Sequence, residues 1–202
     1  MDIYCVESNF VVQLALQQEG HRSCRDIVDV CERGSARLVI PAFCVPEAHY
    51  ALIGKQKQRD QLIQASTTEQ GQLLRSERYK DRSQQLRTAR SLLIAGIARD
   101  SEDFRRCSAT VLQAASVIPL NSHVLRSAAE LEKSTDMKLP DAMVLASVMA
   151  DLDACKPGEA CFLTRNSKDF DDPDVVHMLA QRGCKIFFSF DDCLSYIRSH
   201  LR

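Results

Sequence analysis

Five short apolar runs punctuate a chain otherwise written at helical spacing. The first, Ile3-Tyr4-Cys5-Val6, stops at Glu7, after which Ser8 or Asn9 caps a predicted helix reaching about Gln18. A second helix is predicted from His21 to Arg33, stopped by Gly34, and Leu38-Val39-Ile40 follows as the second strand, ended by Pro41. Ser116 to Leu120, Cys161-Phe162-Leu163-Thr164 and Lys185-Ile186-Phe187-Phe188 are the remaining strand candidates. Between and after them, helices are predicted over Ser122 to Lys133, from Pro140 onward, over Val175 to Gln181, and from Asp192 to about Ser199. The stretch Ala142 to Ala150 is apolar almost all round, so its helix has to be buried. Strand-to-helix units in succession predict an α/β fold with a parallel sheet covered by helices.

Residues from about 55 to 115 break this rhythm. They lack strand signals and carry Leu62, Ile63, Leu73, Leu86, Leu93, Ile97, Phe104 and Val111 at helical spacing, which predicts a helical hairpin or small bundle inserted in the sheet topology. Between Lys55 and Arg90 nine Lys/Arg stand against four Asp/Glu, a local charge of +5 in a chain whose net charge is −1. Such a stretch is either a solvated helix face or a surface that steers phosphates. Its apolar residues leave a homodimer interface open as well.

With 202 residues the chain can bury one good core, so a single domain over 1–202 is expected, with the helical insertion inside it. The composition, 45% hydrophobic and 26% charged, is that of a soluble globular protein and neither requires nor excludes RNA. Nine cysteines, none in a Cys-x-x-Cys pair, argue against a zinc ribbon or a disulfide framework. Several lie within apolar runs, as Cys5 and Cys161 do, and suit reduced thiols used as small core residues. No apolar run approaches the roughly 20 residues of a membrane span, and the first residues do not read as a secretory signal. A cytoplasmic protein with no membrane association is expected.

The candidate chemistry lies in four acids, Glu7, Glu47, Asp141 and Asp169, each placed where a strand ends or a helix begins. In an open α/β sheet, ligands bind beyond the carboxyl ends of the strands near the point where strand order reverses. Carboxylates gathered there repel one another unless a cation compensates them, which makes Mg²⁺ or Mn²⁺ the expected cofactor. Pro46-Glu47 and Pro140-Asp141 share a further device: proline at a predicted first helical position, with the acid at the positive end of the helix dipole. Either pair alone also suits an ordinary helix start.

Four segments together resemble the PIN-domain ribonucleases, including the VapC-like toxins of toxin-antitoxin pairs. Ile3-Tyr4-Cys5-Val6-Glu7-Ser8-Asn9 is similar to the family's opening strand, and Pro46-Glu47-Ala48-His49-Tyr50-Ala51-Leu52 to its second acidic segment. Pro140-Asp141-Ala142-Met143-Val144-Leu145-Ala146 and Leu163-Thr164-Arg165-Asn166-Ser167-Lys168-Asp169-Phe170 resemble the third and fourth. The resemblance implies an α/β/α sandwich with a mostly parallel central sheet. It also implies a Mg²⁺- or Mn²⁺-dependent endoribonuclease that hydrolyses RNA phosphodiester bonds, with an antitoxin protein as a partner. Glu7, Glu47, Asp141 and Asp169 take the catalytic and metal-binding positions, Asn9, Thr164 and Asn166 supporting ones, and Arg165 and Lys168 flank the acids as RNA contacts or plain surface residues. Two departures motivate an alternative, a PIN-like RNA-binding or scaffold module with weakened chemistry. Glu7 stands where the family normally has Asp, and Asn166 where many members have Asp.

Overall fold

The computed structural model describes residues 1–6 and 8–200. Its centre is a five-stranded sheet, all parallel: β1 (Asp2–Cys5), β2 (Arg37–Pro41), β3 (Ala115–Ile118), β4 (Ala160–Leu163) and β5 (Cys184–Phe187), in the order β3-β2-β1-β4-β5. Because β1 is central and the chain reaches β2 on one side of it and β4 on the other, the order reverses between β1 and β4. That crevice is where a parallel sheet of this kind presents ligands. In register, Tyr4 lies beside Val39 and Phe162, and Cys5 beside Leu163. Residues 3–5 and all of β4 are buried, as expected for strands covered on both faces.

Nine helices of the described residues surround the sheet. α1 (Ser8–Ala15) and α2 (His21–Glu32) precede β2, α3 (Cys44–Leu73) and α4 (Ser83–Ala114) separate β2 from β3, and α5 (Ser122–Ser134) and α6 (Leu139–Cys155) lead to β4. α7 (Ser167–Phe170) and α8 (Pro173–Ala180) follow β4, and α9 (Phe190–His200) follows β5. Strand alternation sends neighbouring side chains to opposite layers. Tyr4 donates its hydroxyl to Asp151 of α6 at 2.8 Å, whereas Cys161 of β4 meets Cys193 of α9. The result is the α/β/α sandwich expected from the sequence.

Several boundaries differ from the sequence expectation. The first helix ends at Ala15 rather than near Gln18, because Gln17 takes a left-handed backbone with φ of 50°. α3 begins at Cys44, so Pro46 is its third residue, not its first; its missing N–H still falls among the donors that have no partner within the helix. α6 likewise begins at Leu139, with Pro140 second. Thr164 lies just past β4 and Phe188 just past β5, while Pro41 is the last residue of β2 rather than its stop. Lys168 and Asp169, which follow the fourth strand in sequence, sit on the single turn of α7.

The insertion is a hairpin. α3 and α4 run 30 and 32 residues and are joined through a 3₁₀ turn at Lys80–Arg82. At about 1.5 Å per residue each is about 45 Å long. Near the sheet the pair contributes Leu52, Phe104 and Val111 to the core. Towards the tip it buries Gln70 and Ser83, with Gln70 Nε2 donating to the Ser83 carbonyl at 3.1 Å. Between these ends, Gln56 donates to Ser101 at 2.6 Å and Arg59 pairs with Asp100.

Eight of the nine cysteines are buried and Cys155 is exposed. Burial pushes the Cys31 and Cys184 thiols up to about 12, which keeps both protonated and unreactive. Among the described residues no helix is long and apolar enough to cross a membrane.

Candidate active site

A cleft of about 300 Å³ opens at the carboxyl edge of the sheet, at the β1/β4 switch point. Val6 lines it just past the end of β1, and the first residues of α1 deliver Ser8 and Asn9. The first turn of α3 brings Glu47, and the first turn of α6 brings Asp141. The segment leaving β4 supplies Thr164, Arg165 and Asn166, with Val144 and Phe170 as apolar floor. Six of the nine residues singled out from sequence therefore line one cleft: Asn9, Glu47, Asp141, Thr164, Arg165 and Asn166.

Asp169 and Lys168 reach a neighbouring depression that they share with Asp136 and Asp172. Asp169 is nonetheless tied to the cleft. The Asn166 carboxamide donates to Asp169 Oδ2 at 2.8 Å and to Asp141 Oδ1 at 3.3 Å, so one side chain spans the two acids. Thr164, only 1% exposed, accepts the Asn166 N–H on its hydroxyl at 3.1 Å and fixes the turn that presents the amide. Glu7 lies outside the described residues. His49, two residues from Glu47, is exposed and packs its ring 6.0 Å from that of Phe104.

The electrostatics of the cleft are those of a site short of positive charge. Burial, and then the neighbouring Asp169 carboxylate, push Asp141 above its ordinary range, against the opposing pull of the Asn166 hydrogen bond, Lys138 and the backbone. A cation placed beside Asp141 would relieve both causes. Among the described residues no group of three or more His, Cys, Asp and Glu is arranged to hold a metal ion. The donor chemistry still fits Mg²⁺ or Mn²⁺: Asp141 and Glu47 offer hard carboxylate oxygens in one cleft, and Mg²⁺ needs only one or two of these beside its waters.

Ser8, expected only as a candidate helix cap, also lines the cleft, and its signal was its place between Glu7 and Asn9. The reach of the Asn166 amide to Asp141 had no signal in the sequence, since it depends on how α6 approaches the start of α7, whereas its bond to Asp169 joins residues three apart on one segment.

A family model described as PIN domain matches residues 5–170 of the chain. No curated protein and no solved structure matches it.

Proposed function

This chain belongs to the PIN-domain family, and we propose on that basis that it is a metal-dependent endoribonuclease whose site is the cleft at the β1/β4 crevice. The observation that carries the reading is the meeting of Glu47 and Asp141 in one cleft, with the Asn166 amide linking Asp141 to Asp169. Carboxylates drawn together at the positive ends of two helices, in a cleft roomy enough for a phosphodiester, are the donor set for Mg²⁺ or Mn²⁺. Asp141 and Glu47 would hold the ion, with Glu7 and Asp169 completing the acidic set. When bound, the ion supplies Lewis-acid polarisation of the phosphodiester and offsets its charge.

The chain's own groups do the rest. Asn166 and Thr164 hold the Asp141 carboxylate in one orientation, and Asn9 supports the site from the start of α1. Arg165, exposed on the wall of the cleft, neutralises the phosphate of the bound strand, and Lys168 on the far side of Asp169 extends that charge along it. In this proposal residues 1–202 act as one PIN-like unit and the basic hairpin steers RNA towards the cleft. The role of toxin opposed by an antitoxin, resting on the family resemblance, a homodimer, resting on the apolar residues of the hairpin, and a cytoplasmic location are further parts of the proposal.

The test is cleavage of RNA by purified protein with Mg²⁺ or Mn²⁺. The expected result is cleavage lost with Asp141→Asn and with EDTA; undiminished wild-type cleavage in EDTA would end the proposal. One observation favours a second reading, an RNA-binding module with weakened chemistry. The amide of Asn166 already occupies an oxygen of both Asp141 and Asp169. RNA binding without turnover at any divalent concentration would select that reading.

A further inference from the structure

Arg165 lines two clefts. On its other side lies a second depression of about 220 Å³, formed by the turn between α1 and α2 and by the segment joining β5 to α9. Its most informative wall is Gln13 of α1, a polar side chain only 4% exposed. The Gln13 Oε1 accepts the Gly20 N–H at 2.9 Å, which fixes the carboxamide and leaves its NH₂, beside one lone pair of Oε1, to meet a ligand. Gly20 makes this arrangement possible: a Cβ there would lie 2.4 Å from Gln13 Oε1 and 2.8 Å from Cδ2 of Phe190. Phe190 is itself held edge-on against Phe10, with centroids 5.7 Å apart. Half-buried Phe188 adds a second ring to the lining, and the exposed carboxylates of Glu19 and Asp191 stand at the rim. Asp191 is oriented by a hydrogen bond from the Ser23 hydroxyl.

We propose that this depression is a nucleobase subsite, serving the nucleotide next to the phosphate in the acidic cleft, and that it selects guanine. The carboxylates at its rim repel a phosphate, so the occupant is the neutral part of a nucleotide. Aromatic rings suit the face of any base, with stacking that is tolerant of sequence. Selection comes from the polar edge. Guanine alone among the RNA bases sets a carbonyl acceptor beside two adjacent N–H donors, matching one fixed amide donor and a carboxylate that accepts two parallel hydrogen bonds. Adenine and cytosine offer one amino group, and uracil a single N–H between two carbonyls. Arg165, common to both clefts, joins base and phosphate sites into one path for the strand.

The subsite rests on the reading of the acidic cleft as a phosphodiester site, but its test does not need cleavage. Guanosine monophosphate and uridine monophosphate are titrated separately into the whole protein without divalent ions, with binding followed by calorimetry or NMR shifts. The guanine nucleotide is expected to bind about 5- to 150-fold tighter. Asp191→Asn, at an exposed position in the first turn of α9, should remove that preference while lowering the melting temperature by no more than about 2–4 °C, and Gly20→Ala should displace the Gln13 carboxamide and the Phe190 ring and weaken guanine binding. Equal binding of the two nucleotides, binding of neither, or an unchanged preference in Asp191→Asn would overturn the subsite. Guanine-selective binding by a protein that cleaves no RNA would retain the subsite and remove the nuclease, and cleavage with no base preference would do the reverse.

Discussion

The sheet and the hairpin are built on opposite principles. Around β1 and β4 every described strand residue but Asp2 is buried and apolar, and the middle of α6, which packs against the same sheet, is buried from Val144 to Val148. Beyond Leu52 and Phe104 the hairpin reverses this: Leu62, Leu74, Leu92 and Ile94 are exposed, and the buried residues towards its tip are the polar Gln70 and Ser83. One region derives its stability from removing apolar surface from water, the other from helix hydrogen bonds and a few polar cross-links. Carboxylates that must be held against mutual repulsion are thus mounted on the rigid region, while the basic surface is carried on the adaptable one.

The largest expected effect would separate the two regions by activity. Asp141→Asn should reduce RNA cleavage at saturating substrate by more than about 10²-fold, the order reached when one charge-stabilising group is lost. Replacing residues 60–99 by a short glycine-serine link should change the same rate constant by less than about threefold, since it removes no group of the cleft. Comparable losses in single-turnover assays would show that the hairpin belongs to the chemistry.

Stability should divide the same way. Leu145→Ala, at a fully buried position in α6, is expected to cost about 2–5 kcal/mol in urea unfolding. Leu92→Ala, at a side chain 75% exposed on the hairpin, should stay within about 0.5 kcal/mol of wild type. A large cost for Leu92→Ala would reveal a partner surface, such as a second copy of the chain, over the hairpin.

Salt tests the contrast from another side. If the hairpin steers RNA, changing Arg75, Arg78 and Arg82 to Gln should weaken RNA binding and flatten its dependence on salt. On a single strand the logarithmic slope should fall by about 0.7 for each phosphate that is no longer neutralised. An unchanged slope would return these residues to the role of a solvated helix face.

The smallest effect concerns pH. Because burial and Asp169 raise the folded-state pKa of Asp141, ionising this group costs stability, and its favourable contribution is lost as pH rises through that raised value. Without divalent ions, Asp141→Asn should therefore be slightly more stable than wild type near neutral pH, with the difference vanishing in acid. Each kcal/mol gained would raise the melting temperature by about 2–4 °C. Mg²⁺ should raise the melting temperature of wild type more than that of the variant; the opposite order would count against a cation at Asp141.

Much of the frame was legible because parallel strands buried on both faces are written as uninterrupted apolar runs, as in Ile3-Tyr4-Cys5-Val6 and Cys161-Phe162-Leu163. The burial of α6 was equally plain from the absence of a polar face. Ends of elements were less so. Nothing around Gln17 marks its left-handed turn, and four residues are too few for α7 to show a period. Whether residues 55 to 115 form a hairpin or a bundle was undecided for a related reason, since helical spacing gives the number of apolar faces and not their partners.

Amino-acid order alone thus specified the parallel sheet, the helical interruption and the positions of the acids at strand and helix ends, because these follow from local periodicity and from where chain direction must change. Packing in three dimensions settled that Glu47 and Asp141 share a cleft, that Asn166 reaches Asp141, and that Gln13 meets Gly20 beside Phe190. These are meetings between segments remote in the chain or set by the approach of packed helices. Their distances depend on how whole helices seat against the sheet, which no local pattern encodes.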